Sequence, residues 1–336
     1  MNITATGKTT VIAAIVLTAQ ALSLCGCEVS VKKTEDHEKK PSISVINEID
    51  ESADAFDEEN EEDDGFVPIE TDDDVSDHEM PQDPQTVDLN PEWEYADFSV
   101  INSGSAVLYY AKNNRNNIVI GVNAGHGTKG GQNAKTYCHP DKSPKVTGGS
   151  TAEGSVKAAA VSSGMKFDDG TDEAAATLEL ARIFRERLLE EGYDVLMLRD
   201  DEDVQLDNVA RTVISNNTAD CMISVHWDGD DLDHDKGCFY ISVPDALKKM
   251  EPVSLYWMEH DKLGEALIDG LRDMGCRIYD TGSMDVDLTQ MSYSTIPSVD
   301  VEMGNQASKL DAQTLEALAD GLVRGVDLYF GPDRLR

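Results

Sequence analysis

A dense block of acidic residues near the N-terminus limits where this chain can build a folded core. Residues 28–98 carry 26 of the 65 Asp and Glu residues but only four Lys residues. Residues 57–64 are acidic at every position except Asn60. Such a segment repels itself and has too few apolar side chains to fold alone. We therefore predict a disordered acidic tether over residues 28–115 and a folded domain over residues 116–332. Within the tether, the patches at 93–95 and 107–110 are candidates for a short strand or arm that packs on the domain.

The overall charge argues against two classes of partner. The chain has 336 residues, with 65 acids against 28 bases and a formal net charge of -37. Nucleic-acid phosphates and anionic lipid surfaces both attract clustered Lys and Arg. We therefore expect no nucleic-acid binding and no membrane docking through surface charge.

The first 27 residues have the pattern of a signal peptide. Residues 11–24 are mostly apolar, which is short for a transmembrane helix and typical of a signal sequence. The following Leu24-Cys25-Gly26-Cys27 resembles the lipobox of bacterial lipoproteins. The resemblance implies lipidation of Cys27 and an extracytoplasmic protein, lipid-anchored in the cell membrane and facing the cell wall. The alternative is a short N-terminal anchor that is never cleaved.

From residue 117 onward, strand patterns alternate with helix patterns. Short runs of β-branched apolar residues predict strands at 118–122, 193–198, 221–225, 238–243, 277–279 and 298–301. Amphipathic stretches predict helices at 172–191, 207–216, 255–274 and 312–329. This order predicts an α/β fold with three layers, a mostly parallel twisted sheet with helices on both faces, of the phosphorylase/hydrolase-like kind.

Four chemically active side chains stand where predicted strands end or a helix begins. They are His126, Glu173, His226 and Glu302. Open α/β sheets place their sites at such strand ends. Two His and one Glu make a donor set typical of catalytic zinc, and a further Glu could act as a base. Each residue alone also has an ordinary structural explanation, such as the helix dipole for Glu173.

The order of several short motifs resembles one enzyme family over residues 118–329. Ala124-Gly125-His126-Gly127 follows a strand, Glu173 heads a Leu-rich helix, and Ser224-Val225-His226 ends a later strand. Arg199, Arg211 and the Pro297, Glu302 and Gly304 set match in order as well. Together they resemble the zinc-dependent N-acetylmuramoyl-L-alanine amidase family.

The resemblance implies a site and a reaction. Zn²⁺ would be bound by His126, Glu173 and His226, with Glu302 as catalytic base. The substrate would be peptidoglycan, cleaved at the amide between the lactyl group of N-acetylmuramic acid and L-alanine. A zinc peptidase acting on stem peptides and a non-catalytic cell-wall-binding lipoprotein remain as alternatives.

Three departures from the family pattern affect substrate preference more than metal binding. Asn123 stands where the family usually has Asp, and Asn305 stands where it usually has an aromatic residue. The stretch 127–172 is longer than in minimal members, and we interpret it as a lid or substrate-selecting insertion. Outside the four candidate residues, His139, His234 and His260 lie in polar surroundings and are predicted to be at the surface.

Overall fold

The computed structural model of this protein describes residues 84–230 and 232–334. Its strands are β1 (Gln85–Asp88), β2 (Ser105–Tyr109), β3 (Val119–Ala124), β4 (Lys135–Tyr137), β5 (Lys157–Ala159), β6 (Asp194–Met197), β7 (Cys221–Asp228), β8 (Cys238–Ser242), β9 (Ile278–Asp285) and β10 (Ser298–Asn305). Its helices are α1 (Glu173–Glu190), α2 (Asn208–Thr218), α3 (Val253–Asp273), α4 (Thr289–Tyr293) and α5 (Ala312–Arg334). The predicted signal peptide, Cys27 and residues 28–83 lie outside the described residues.

Eight of the described strands form one mixed sheet in the order β1-β2-β6-β3-β7-β10-β8-β9. The pairs β6–β3, β3–β7, β7–β10 and β8–β9 are parallel. The pairs β1–β2, β2–β6 and β10–β8 are antiparallel. Strands β3, β7 and β10 are central, so their C-terminal ends meet at one edge of the sheet.

Helices cover both faces of this sheet, as the sequence predicts. Alternate residues of a strand point to opposite faces. Ile223 of β7 packs in a core with side chains of α1, α3 and α5. Its neighbour Met222 packs in a second core with Ala210 and Ile214 of α2. The predicted α/β fold with a mostly parallel sheet is therefore confirmed.

The folded part begins earlier in the chain than the sequence predicts. Strands β1 and β2 extend the sheet at the edge of β6. The buried carboxylate of Asp207, ahead of α2, accepts hydrogen bonds from the backbone N–H groups of Val100 and Ile101 at 2.6 and 2.9 Å. The described sheet therefore begins ahead of the predicted boundary at residue 116. The patch at 107–110, a candidate for a short strand, overlaps β2, whereas β1 has a single apolar residue and leaves no strand pattern in the sequence.

Every helix and strand predicted after residue 117 is present, with ends shifted by a few residues. The largest difference is at β9, which runs to Asp285 rather than ending near residue 279. The pairing of β4 with β5 inside the insertion was not predicted. Among the described residues, no helix combines the length and the apolar character that a membrane span requires.

Candidate metal centre and active site

Three of the predicted site residues come together at the C-terminal edge of the sheet. His126 follows β3, Glu173 is the first residue of α1, and His226 lies in β7. His126 Nε2 lies 2.8 Å from Glu173 Oε1, and His226 Nδ1 lies 3.1 Å from His126 Nε2 and 3.2 Å from Glu173 Oε1. These donor atoms lie within 4.8 Å of one another and could hold one metal ion.

The insertion orients His126. His126 has a positive φ of 67°, a conformation uncommon for residues other than glycine. Its Nδ1 lies 3.0 Å from the backbone oxygen of Ser162. That oxygen accepts a hydrogen bond when Nδ1 carries the ring proton. A proton on Nδ1 leaves the Nε2 lone pair free, and Nε2 is the atom that faces Glu173 and His226. No local pattern points to Ser162, because the contact depends on the path of a long loop.

The buried carboxylate of Glu173 is held on both oxygens. Oε1 accepts the backbone N–H of Trp227 at 3.1 Å, and Oε2 accepts that of Met165 at 2.9 Å. Burial raises the pKa of Glu173, but hydrogen bonds and charge from His126 and His226 lower it more. The net pKa lies well below the ordinary value, so the side chain is ionised and can act as a metal donor at neutral pH.

The surroundings of His226 are strongly negative. Burial lowers the pKa of its ring, but the hydrogen bond to Glu173 and the charges of Asp300 and Glu173 raise it to about 9. His226 Nε2, the nitrogen that faces away from the donor cluster, lies 3.8 Å from Asp300 Oδ2. The same negative field that favours a proton also favours a divalent cation, and the two compete for the ring.

Glu302 lies beside this cluster. It is the register partner of His226 on the neighbouring strand β10. Its Oε2 is buried and has no hydrogen-bond partner. Burial raises the pKa of Glu302 to about 8, with the negative charges of Glu173, Asp228 and Asp300 adding to the effect and His226 opposing it. Glu302 and the three donors line one cleft of ≈ 670 Å³.

Two buried arginines fix the loop that carries His126. Arg211 donates to the backbone oxygens of Ala124 and His126 at 3.1 and 2.7 Å. Arg199 donates to the backbone oxygens of Ala124 and Gly125, both at 3.0 Å. Both guanidinium groups are buried, yet their pKa values fall only to about 10 and about 9 for Arg199 and Arg211, so both remain charged at neutral pH.

The insertion also forms a wall of the cleft, and a buried ionic cluster attaches it to the domain. His139 Nε2 lies 3.0 Å from the Asp287 carboxylate, and the Lys145 ammonium donates to the Asp287 backbone oxygen. The backbone N–H of Val146 donates to Asp287 Oδ2 at 2.8 Å. Residues 148–151 and 162–165 of the same insertion line the cleft.

Two histidines predicted to be at the surface are buried. His139 and His260 are both 0% exposed, whereas the His234 side chain is 55% exposed, as predicted. The prediction failed because each of these two buried histidines has a polar partner that is distant in sequence. His139 pairs with Asp287, and His260 Nδ1 accepts the backbone N–H of Ser298 at 2.9 Å.

Asp300 is a buried acid beside the cluster that the sequence motifs do not include. An acid two residues before Glu302 in a strand lies on the same face as Glu302, so alternation could have identified it. Its side chain is 7% exposed and its Oδ1 has no hydrogen-bond partner.

Comparison with known proteins identifies the family. The family model described as N-acetylmuramoyl-L-alanine amidase matches residues 120–321. The fold is similar to the apo form of the N-acetylmuramyl-L-alanine amidase Ami1 from Mycobacterium abscessus, at 21% identity, a TM-score of 0.51, and coverage of 64% of this chain and 99% of that chain. It is similar to Ami1 from Mycobacterium smegmatis at 19% identity, a TM-score of 0.51, and coverage of 64% and 97%. No curated protein sequence matches significantly. Since the family model spans more than half of the chain, this protein belongs to the N-acetylmuramoyl-L-alanine amidases, a family of peptidoglycan hydrolases.

Proposed function

We propose that this protein is a zinc-dependent amidase that cleaves between the lactyl group of N-acetylmuramic acid and L-alanine of peptidoglycan. His126, Glu173 and His226 would hold Zn²⁺, and Glu302 would be the catalytic base. The observation that carries the proposal is the convergence of three donor atoms within 4.8 Å beside the unpartnered buried oxygen of Glu302. The family is generally zinc-dependent, which agrees with this donor set.

The donor set fits zinc in number and in chemistry. Two imidazole nitrogens and one carboxylate oxygen are the protein ligands of many hydrolytic zinc sites, which keep a fourth position for water or substrate. Zinc bound there would supply Lewis-acid polarisation of the scissile carbonyl and a water of lowered pKa. The protein supplies the rest of the chemistry through Glu302 and the walls of the cleft.

Glu302 can serve in both halves of the reaction. As a carboxylate it accepts a proton from the attacking water, and a cation at the donor cluster would lower its pKa from about 8 toward the range in which it is ionised. Once protonated, the same group is suited to deliver that proton to the departing alanine amine. General base catalysis of this kind typically contributes about 10²–10⁴-fold to the rate.

The proposed place of action is outside the cytoplasm. Lipidation of Cys27 would attach the chain to the membrane, and the acidic residues 28–83 would separate the domain from it. The domain would then reach peptidoglycan that lies beyond the membrane surface.

Two variants separate metal binding from chemistry. His226→Ala removes a donor and should lose zinc and all activity. Glu302→Gln keeps nearly the same shape but cannot accept a proton, so it should retain about one zinc per chain while turnover falls at least about 10²-fold. Zinc content and turnover of a soluble muropeptide are measured on the same preparation. Loss of zinc from Glu302→Gln would make Glu302 a ligand and contradict the assigned roles.

The bond that is cleaved is identified from the new chain ends. Purified peptidoglycan is digested, and the products are analysed by mass spectrometry and N-terminal labelling. Free lactyl carboxylates together with N-terminal alanine support the amidase. New amines elsewhere in the stem would indicate a peptidase, and undigested peptidoglycan that retains the protein would indicate a binding protein.

A further inference from the structure

A row of polar side chains crosses the three central strands just below the candidate metal centre. Asn123 of β3 is the register partner of Ser224 of β7, and Ser224 is the register partner of Asp300 of β10. One step further toward the C-terminal edge, His226 is paired with Glu302. Because residues two apart in a strand share a face, all five side chains lie on the α2 side of the sheet.

Hydrogen bonds define the first half of this row. Arg211 Nη1 donates to Asn123 Oδ1 at 3.0 Å, and Asn123 Nδ2 donates to Ser224 Oγ at 3.0 Å. The Ser224 hydroxyl accepts that bond, so its own hydrogen remains to be donated toward Asp300, its neighbour in the row. Arg211, Asn123 and Ser224 are at most 1% exposed, so water does not supply alternative partners.

The row ends at the imidazole of His226. Its Nδ1 belongs to the donor cluster, at 3.1 Å from His126 Nε2 and 3.2 Å from Glu173 Oε1. Its Nε2 lies 3.8 Å from Asp300 Oδ2, and Asp300 Oδ1 has no hydrogen-bond partner among the described residues. Asp300 therefore lies on the side of the ring opposite to the donor cluster.

We propose that Asp300 is a positioning residue for zinc binding, acting on Nε2 of His226. Its carboxylate keeps the Nε2 proton in place, so that Nδ1 presents its lone pair to the metal and the ring is fixed in that orientation. The inference rests on the proposed zinc function. It explains why a carboxylate is buried two residues before Glu302 with one oxygen, Oδ1, that has no hydrogen-bond partner among the described residues.

The two polar oxygens of the neighbouring strands accept hydrogen bonds from other donors. The Oδ1 of Asn123 is already used by Arg211, and the Oγ of Ser224 by Asn123. The insertion supports the other histidine in the same manner, because Ser162 lies 3.0 Å from His126 Nδ1. Each histidine of the donor cluster thus has a partner for the nitrogen that faces away from the metal.

The first test measures zinc affinity on the full chain by competition with a chromophoric chelator. Asp300→Asn keeps an acceptor but removes the charge, and Asp300→Leu removes both. We expect zinc affinity to fall about 10–100-fold, more for Leu than for Asn. The matched control is Asp194→Asn. Asp194 lies in β6, away from the cleft, is 0% exposed and forms an ion pair with Arg115 at 2.6 Å. The loss of its charge should therefore lower stability without changing zinc affinity.

The second test reports on the ring itself. In ¹⁵N spectra of the zinc-loaded protein, His226 should carry its proton on Nε2 and bind metal through Nδ1, and Asp300→Asn should shift the Nε2 resonance. The proposal is overturned if wild type and both variants bind zinc equally, or if His226 binds through Nε2. If Asp300→Leu does not fold, Asp300→Asn and the wild-type spectrum decide the question. A wild-type protein that binds no zinc would instead refute the proposed function.

Discussion

The imidazole of His226 lies against the α-carbon of Gly125. A Cβ atom built on Gly125 would stand 2.2 Å from Cε1 and 2.6 Å from both nitrogens of that ring. Separations of this size are impossible, so the ring can occupy its position only because residue 125 has no side chain. The glycine next to His126 is therefore a steric requirement of the donor cluster as well as part of a turn.

Gly125→Ala should displace His226 and weaken zinc binding while leaving the fold intact. We expect zinc affinity to fall at least about 10-fold. This is the lower end of the range found when the groups that orient a metal ligand are disturbed. The control is Gly148→Ala in the same cleft, where the nearest atom to an added Cβ is 3.9 Å away. Equal zinc affinities of the two variants in a chelator competition would contradict this steric argument.

His260 should make the protein less stable in mild acid. Burial lowers its pKa from 6.5 to about 4, opposed weakly by the charge of Glu259. Between those pH values His260 is protonated in the unfolded state but remains neutral in the folded state. The contribution of neutral His260 to the free energy of unfolding is therefore fully present above pH 6.5. It is lost as the pH falls toward 4, by about 3 kcal/mol in total.

Urea unfolding of wild type and His260→Gln between pH 7 and pH 4 tests this dependence. The glutamine oxygen can still accept the Ser298 N–H but does not titrate in this range. The difference in unfolding free energy between the two proteins should change with pH in the stated direction. A difference that stays constant from pH 7 to pH 4 would show that His260 does not titrate in this way.

Asp287→Asn should loosen the insertion without emptying the metal centre. It leaves Lys145, which is only 7% exposed, without its carboxylate partner, and breaking a buried pair in this manner costs about 3 kcal/mol or more. Because the insertion lines the cleft, KM for a muropeptide should rise while zinc content is unchanged. Asp245→Asn is the control, since the Asp245 side chain in its ion pair with Lys248 is 94% exposed and such a pair contributes little. An unchanged KM would mean that the insertion does not contact substrate.

Two N-terminal deletions should locate the true start of the domain. Deleting residues 45–83 should leave thermal stability and turnover of soluble muropeptides unchanged, because no candidate site residue lies there. Deleting residues 45–115 removes β1, β2 and the donors to the buried Asp207 carboxylate. Hydrogen bonds to charged groups contribute about 1.5–3 kcal/mol each, so this deletion should be strongly destabilising. Equal melting temperatures for the two deletions would contradict the assigned role of β1 and β2.

Cys27→Ala tests the proposed lipid anchor. The variant should be released from membranes or remain as an unprocessed precursor, because it lacks the residue that would be lipidated. Membrane fractionation and the mass of the mature chain decide between these outcomes. A variant that stays membrane-bound at the mature mass would contradict lipidation at Cys27.

Local patterns in the sequence were sufficient for the long helices and the main-sheet strands after residue 117 and for the four chemically active residues. The alternation of strand and helix after residue 117 depends on side-chain periodicity, which is a local property. The same is true of His126, Glu173, His226 and Glu302, which stand at strand ends or a helix start, where parallel sheets bring side chains together. Their convergence could be predicted because adjacent parallel strands end at the same edge of the sheet.

Only the tertiary structure decided how those residues are supported. Ser162 reaches His126 across 36 positions of sequence, Asp287 holds His139 across 148, and Asp300 reaches His226 from a neighbouring strand. Alternation places Asp300 on the same face of its strand as Glu302, but the partner in each of these pairs depends on strand register or on the path of a loop. Burial of His139 and His260 and the inclusion of β1 escaped prediction for the same reason: partners distant in sequence determine whether a polar or weakly apolar segment can be buried.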